Sequence, residues 1–342
     1  MTGILLINLG TPLSPNTGDV RKYLREFLGD RRVIDIPVIR RKLLVNGIIA
    51  PFRAAESARQ YKEIWTAEGS PLLVSGERLK IKLQKLVGDG YIIDLAMRYG
   101  EPSIAGRLAN LMSNVKKLII VPLYPQYASA SSGSTIEKVM DEIKRYEVIP
   151  EIKFVRPFFS HPEFIKAFAA IAERNNRLQD YDHYLFSYHG LPERHILKAS
   201  EEYGMKCSLT YRNQPDTCCA SLNDANIYCY RASCYHTTRL IAQALKLPEG
   251  SYTVSFQSRL GRTPWIKPYT DEVIAEKAKA GVKKILCFSP AFVADCLETI
   301  YEIKVLYARH FHEYGGSALH LAVSLNDEDE WVNALKRIIE EC

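Results

Sequence analysis

The sequence predicts an α/β protein of two domains, each built on a parallel sheet flanked by helices. Three observations carry that expectation. Short apolar runs alternate with stretches of helical length along the chain, the order that builds parallel sheets through right-handed crossovers. At 342 residues the chain is long enough for two cores of ordinary size. Several apolar runs stop abruptly at glycine, proline or a polar residue, as buried strands do at the sheet edge where ligands of open α/β sheets bind.

In the first domain, Ile4 to Leu9 reads as strand one and Asn8-Leu9-Gly10-Thr11-Pro12 as the loop leaving its C-terminal edge. Residues 33–55 set a basic group, Arg40-Arg41-Lys42, between aliphatic runs containing Val38, Ile39, Leu44, Ile48, Ile49 and Phe52. Such a segment suits the interfacial zone of a bilayer, and it equally suits a partly exposed helix packed on its own domain. Tyr61 and Trp65 lie on an aromatic helix, followed by the turn Gly69-Ser70-Pro71-Leu72. Strand two, Tyr91 to Met97, ends on Arg98-Tyr99-Gly100, a pair able to hold a carboxylate and a flat ring, or to form a surface ion pair and a rim aromatic. Strand three, Leu118 to Leu123, empties into Tyr124-Pro125-Gln126-Tyr127 and the run of small and hydroxylic residues from Ala128 to Gly133, Ser131 among them, which supplies caps for a helix at about Thr135. Strand four is Ile152 to Val155, and a helix from Pro162 to about Asn175 crosses into the second domain.

The second domain holds strands at 183–188, 252–257 and 284–289 with helices between them. The first delivers His189 to its C-terminal edge, because Gly190 and Pro192 break the ladder at once. A histidine so placed can exchange a proton near neutral pH; a satisfied structural histidine is the equal alternative on this feature alone. The strand at 252–257 leads into Gln257-Ser258-Arg259-Leu260-Gly261 and then Pro264-Trp265, where an indole beside a proline reads first as a packing plug. After the strand at 284–289 a helix is predicted from about Ala294, and on it Asp295, Glu298 and Glu302 share one face. A capping box accounts for Asp295 and Glu298 but not for Glu302, so this acidic stripe, without a lysine or arginine four residues away, awaits a cation. The last stretch, Glu328 to Cys342, is an amphipathic helix expected to pack back on the first domain.

Composition narrows the function classes. The net charge of +6 arises from 45 basic and 39 acidic residues without a basic run interleaved with aromatics, which argues against a nucleic-acid partner. No GxGxxG fingerprint supports dinucleotide binding. The N-terminal apolar run lacks the basic flank and small-residue cleavage pattern of a signal peptide, and no apolar run reaches the ~18 residues of a membrane span, so a cytoplasmic location is expected. Five of the eight cysteines fall between Cys207 and Cys234 amid Asn, Asp, Ser and Pro. That density in a cytosolic loop points to a metal centre, zinc or a 2Fe-2S cluster, since either takes four thiolates.

The segments SYHGLP at 187–192, FQSRLGRTPWIKPYTDE at 256–272 and ADCLETIYE at 294–302 resemble the ferrochelatase family. GILLINLGTP at 3–12, GSPL at 69–72, MRYGEPSI at 97–104, LYPQYASASSGS at 123–134 and SLND at 324–327 extend that resemblance in order along the chain. The resemblance implies two Rossmann-like, chelatase-type domains, each a four-stranded parallel sheet: residues 1–158 with 312–342, and residues 159–311 with a cysteine-rich insertion at about 200–234. It implies insertion of Fe(II) into protoporphyrin IX, with coproporphyrin III ferrochelatase or a non-catalytic porphyrin or metal binder as the alternatives. His189 and Glu298 are then the catalytic pair, and His189, Glu298, Glu302 and Asp295 handle the iron. Leu9, Arg98, Tyr99, Tyr127, Ser131 and Trp265 line the porphyrin site, and residues 38–52 form the apolar lip at its mouth, the segment for which peripheral contact with the inner face of the cell membrane is one of the two readings given above. Some bacterial members carry an internal cysteine-rich segment that binds a 2Fe-2S cluster, which implies four ligands among Cys207, Cys218, Cys219, Cys229 and Cys234. Cys234 is the one demoted, because it sits in a context shared with members lacking a cluster. Cys296 stands where several members have histidine.

Overall fold

The computed structural model describes residues 1–204, 207, 218–261 and 263–342. Arg262 and most of the cysteine-rich insertion before Cys218 lie outside the described residues. The chain forms two compact units, Met1–Tyr124 with Ala128–Arg156 and Asn326–Cys342, and Pro125–Tyr127 with Pro157–Leu325. Each unit carries one four-stranded, all-parallel sheet flanked by helices, the α/β architecture that the alternation of runs predicts.

In the first unit β1 (Thr2–Gly10) is followed by α1 (Thr17–Gly29), α2 (Val38–Leu43), α3 (Ala50–Ile64) and α4 (Pro71–Val87). Then come β2 (Tyr91–Tyr99), α5 (Ile104–Met112), β3 (Lys117–Pro122), α6 (Ser134–Ile143) and β4 (Glu151–Phe154), with sheet order β2-β1-β3-β4. Strand β1 is central, and Ile4 to Ile7 are wholly buried, the continuous apolar run of a strand covered on both faces. At its end Gly10 takes φ +121°, and a Cβ there would sit 1.9 Å from the Tyr99 carbonyl oxygen, so only glycine lets β1 and β2 end side by side. Asp329–Glu340 is the closing helix of this unit; it buries Trp331, Val332, Leu335, Ile338 and Ile339 on one face.

Between α2 and α3 the chain makes a π turn, Leu44–Ile49. Its wider winding inserts one extra residue into the helical repeat. The exposed apolar residues Ile39, Leu43, Ile48 and Phe52 therefore run at spacings of four, five and four along one ridge.

The second unit contains α7 (Pro162–Asn175), β5 (His183–His189), α8 (Glu193–Glu202), α9 (Tyr230–Ala244) and β6 (Tyr252–Gln257). It continues through α10 (Thr270–Lys279), β7 (Lys284–Phe288), a π helix at Leu297–Tyr307, α11 (Ala308–Glu313) and β8 (Ala318–Leu321), in sheet order β6-β5-β7-β8. Leu185, Ile285, Cys287, Ile274, Ile303 and Phe311 close its core.

One expected boundary differs in the structure. The return to the first unit comes after Leu325 rather than at 312, because Ala318–Leu321 is a fourth strand whose Leu319 pairs with Ile285 of β7. It is four residues long and lies at the edge of the sheet, too short to show a clear alternation. Helix α9 begins at Tyr230, and Tyr230, Arg231, Ala232 and Ser233 are all buried, so its first turn is part of the core.

Candidate active site

His189 ends β5 beside Gln257, the last residue of β6. The Gly190 amide donates to the Gln257 carbonyl at 2.8 Å, and a Cβ at position 190 would lie 2.7 Å from that oxygen, so the turn admits only glycine. The half-buried imidazole has its Nδ1 2.6 Å from the Gly190 carbonyl oxygen. A carbonyl only accepts, so Nδ1 carries the hydrogen and Nε2 keeps a lone pair free to take a proton. The rings of Trp265 and Phe292 stand 6.4 Å from the imidazole, one on the β6–α10 loop and one after β7. Trp265 is itself held, its indole N–H donating to the Leu260 carbonyl at 3.0 Å.

Gln257 connects this strand end to the acidic residues. Its side-chain amide donates to the Glu298 carbonyl at 2.8 Å and to the Glu302 carboxylate at 3.1 Å. Ser258, in the left-handed region at φ +66°, adds its hydroxyl to the same Glu302 oxygen. A non-glycine residue in that region is strained, and such strain gathers at sites that need a fixed geometry. Further in, the Gln257 oxygen accepts from Ser187, whose hydroxyl oxygen stands 2.9 Å from that of Thr270, and Thr270 donates to Ser255. This wholly buried chain fixes the amide so that its two hydrogens face the acidic residues.

The acidic stripe needs a correction. Asp295 precedes the helix, which starts at Leu297 behind the cap residue Cys296. Its carboxylate accepts from the hydroxyls of Thr299 and Ser324, both at 2.9 Å, so it fastens the start of the helix. Glu298 and Glu302 do lie on the helix, and four residues is slightly under one turn of its wider π winding, which keeps them on neighbouring faces. Burial pushes the Cys296 thiol well up, and the adjacent Glu298 side chain adds to the shift, so Cys296 stays a neutral thiol.

The other expected porphyrin residues divide between the units. In the first, the Arg98 guanidinium donates to Asp30 at 2.6 Å and to Ser134, while the Tyr99 hydroxyl donates to Asp30 at 2.9 Å. Tyr99 is wholly buried, which corrects its expected role: its ring supports the wall and offers no face to a ligand. Burial opposes the charge on Asp30, but hydrogen bonds from Ser134, the Arg32 amide and Tyr99, with the Arg98 charge, hold its carboxyl below the usual range. Leu9 sits half-buried at the end of β1, and Ser131 half-buried in the π turn Ser129–Gly133 before α6. In the second unit the Tyr127 ring meets Tyr228 edge-on, with centroids 6.0 Å apart.

Cys207, Cys218 and Cys229 line one cavity with Ser200, Tyr203 and Tyr228. Cys219 lies behind them, its sulfur accepting from Arg231 at 3.0 Å and its carbonyl from Arg239 at 3.1 Å. Burial pushes the Cys229 thiol up to about 12, with the neighbouring Cys219, Cys207 and Cys218 raising it further. Cys234 is wholly buried beneath Tyr230, outside the cavity lining. Among the described residues no three His, Cys, Asp or Glu side chains close on a common metal position. Three of these thiols line the same cavity, and burial pushes the Cys219 thiol up while the Arg231 guanidinium partly offsets that shift.

The residues that reading the sequence missed are Gln257, Ser258 and Asp30. Gln257 carried the same signal as His189, a polar residue closing an apolar strand. Asp30 carried none, because its partners come from 68 and 104 residues away.

A family model described as Ferrochelatase matches residues 1–342. Among curated proteins, the ferrochelatase of Legionella pneumophila strain Philadelphia 1 is 47% identical over 339 residues, covering 99% of this chain and 98% of that protein. The ferrochelatase of Coxiella burnetii strain RSA 493 is 41% identical over 340 residues, covering 99% of this chain and 93% of that one. Among solved structures, SirB from Bacillus subtilis with Fe3+ aligns with a TM-score of 0.50 at 13% identity, covering 99% of this chain and 94% of that chain, a likeness of fold.

Proposed function

The chain belongs to the ferrochelatase family, metal chelatases classed as lyases that insert metal into a porphyrin, and on that premise we propose that its substrates are Fe(II) and protoporphyrin IX. The reaction exchanges two pyrrole N–H protons for one ferrous ion, so the protein must take up protons and deliver a cation at one place. The observation that carries this reading is the fixed tautomer of His189: with Nδ1 donating to the Gly190 carbonyl, Nε2 is the base that accepts a pyrrole proton. Glu298 and Glu302, joined to the same strand end through Gln257, supply carboxylates for iron delivery and proton departure. Trp265 offers an apolar neighbour to the macrocycle beside the imidazole. Arg98 contributes by fixing Asp30 and α6, and Leu9, Tyr127 and Ser131 are proposed as porphyrin contacts.

Protoporphyrin IX is preferred to coproporphyrin III because the ridge of Ile39, Leu43, Ile48 and Phe52 is apolar and exposed, which favours a substrate with two carboxylates over one with four. The same ridge supports peripheral contact of residues 38–52 with the inner face of the cell membrane, and a cytoplasmic location is proposed with it. No helix among the described residues is long and apolar enough to cross a membrane. We assign Cys207, Cys218, Cys219 and Cys229 as ligands of a 2Fe-2S cluster, with Cys234 left as a buried thiol. Such a cluster, when bound, ties distant loop segments together and changes charge by one electron.

The deciding experiment offers Fe(II) anaerobically with each porphyrin and follows the product spectrum. A higher kcat/KM for protoporphyrin IX is expected, and His189→Ala is expected to abolish measurable insertion at saturating porphyrin. Faster turnover of coproporphyrin III selects the alternative substrate, and stoichiometric binding without turnover selects a binding protein.

A further inference from the structure

Residues 228–231 straddle Cys229, and three of them reach different parts of the second unit. The Tyr228 ring stacks on Tyr203 at 4.4 Å and meets Tyr127 edge-on. Tyr230, buried within the first turn of α9, donates its phenol hydrogen to the His189 carbonyl at 2.8 Å. Arg231, also buried, donates to the Cys219 sulfur at 3.0 Å and to the Lys267 carbonyl at 3.2 Å, two residues beyond Trp265.

The Tyr230 bond falls on one particular peptide. The unit joining His189 to Gly190 has its carbonyl held by Tyr230 and its N–H held by the Gln257 carbonyl. The next carbonyl, that of Gly190, receives the imidazole Nδ1 hydrogen. Rotation of the clamped peptide would move the Gly190 oxygen away from Nδ1 and release the imidazole to its other tautomer or rotamer. On the β6 side the Gln257 carbonyl holds this peptide's N–H, whereas the pairing with β7 has ended at Phe186, so the phenol supplies the restraint on the carbonyl side that β7 does not.

We propose that Tyr230 is a positioning residue for His189, acting from a helix turn that Arg231 also ties to the Cys219 sulfur, so that the base and the thiol cavity share one support. This inference rests on the reading of His189 as the base. A surface or loop role for the cysteine-rich segment does not call for buried hydrogen bonds into the strand end and the Trp265 loop, and both are present.

The test uses the full-length protein with Tyr230→Phe, which removes one hydroxyl and keeps the ring. Amide exchange of the segment 186–192 is expected to rise about tenfold, in keeping with loss of one buried hydrogen bond. Over the same change kcat should fall by roughly tenfold while the porphyrin KM stays within about twofold, because orientation of the base and not substrate binding is lost. Thr238→Val is the matched control: it removes an equally buried bond, at 2.8 Å, from the Tyr188 hydroxyl on the same strand without reaching the His189 peptide. That variant should lose stability with exchange at 186–192 and kcat near wild type. Arg231→Lys, which keeps the charge but not the fork, tests the shared support and should speed exchange in both 186–192 and 263–269. Wild-type exchange in Tyr230→Phe, or the same change in Thr238→Val, overturns the positioning role. Unaltered exchange in Arg231→Lys overturns the link to the thiols. Absence of iron insertion by the wild-type protein would instead sink the functional reading and leave the exchange result standing.

Discussion

Gln257 reaches Glu302 across 3.1 Å with one amide hydrogen while its backbone stands in register with His189, so a single residue spans the proposed base and the proposed iron carboxylates. Gln257→Leu keeps the volume and removes both donors. A hydrogen bond to a charged group is worth about 1.5–3 kcal/mol, so the variant should raise the KM for Fe(II) or lower kcat by about ten- to a hundredfold. Steady-state rates across an Fe(II) series check this, and an unchanged iron dependence would detach Gln257 from the site.

Asp295 and Glu298 lie three residues apart, yet their expected behaviours differ. Asp295 is occupied in fastening the helix start to Thr299 and Ser324. Asp295→Asn should therefore cost about 1 kcal/mol of stability, the usual worth of a cap, with kcat within about twofold of wild type. Glu298→Gln should lower kcat by about a hundredfold or more with little change in urea midpoint, as loss of a proton- or metal-handling group does. The opposite ordering would return Asp295 to the reaction.

That contrast marks what a sequence can carry. Seven of the strands follow from runs of apolar residues, most plainly where burial on both faces leaves an unbroken pattern, as Ile4 to Ile7 show. His189 is legible because Gly190 and Pro192 stop the strand beside it. The Asp295 stripe is misread because a spacing of three and four presumes an α helix already formed at Ala294, whereas the cap is Cys296 and the winding is π. Tyr99 is misread for a different reason: the motif places it at a strand end, but only the partner Asp30, arriving from the far end of α1, turns its ring inward. Tertiary partners of this kind leave no local pattern.

The gathered thiols make a spectroscopic prediction. Anaerobically purified protein should carry about two irons per chain with sulfur-to-iron charge-transfer absorption, as a 2Fe-2S group does. Cys219→Ser should lose both iron and absorption, since its sulfur is the one Arg231 addresses. Cys234→Ser should keep both, because Cys234 is wholly buried against Tyr230 within α9. Iron retained by Cys219→Ser and lost from Cys234→Ser would reassign the ligand set.

His183 gives the stability of the protein an acid limb. Burial, helped by the charge of Lys277, depresses its folded pKa from 6.5 to about 4, and its Nε2 bonds Thr253 at 2.9 Å. A depressed pKa means that the unfolded chain binds the proton first. The contribution is therefore complete above pH 6.5 and is lost as pH falls toward about 4, amounting to about 3 kcal/mol at most. Urea midpoints taken from pH 7 to 4 should decline, and His183→Gln should decline less steeply over that window. Parallel curves for the two proteins would remove His183 as the cause.

The exposed ridge on α2 and α3 is the feature from which membrane contact can be measured. Ile39, Leu43, Ile48 and Phe52 are 72%, 69%, 56% and 79% exposed, a concentration of apolar surface that isolated surface residues do not produce. Leu44 and Ile49 are half-buried, so they support the helix and do not form the contact. Burying a side chain of this size in an apolar phase is worth about 1.5–3 kcal/mol, and the exposed Arg40 and Lys42 add attraction to anionic headgroups. Replacing Ile39, Leu43, Ile48 and Phe52 by serine should thus reduce pelleting with anionic liposomes at least tenfold while leaving the urea midpoint near wild type. Salt should weaken the wild-type interaction without abolishing it, since the apolar part is unscreened. Equal pelleting of the two proteins would show that the ridge serves the porphyrin entrance and not a bilayer.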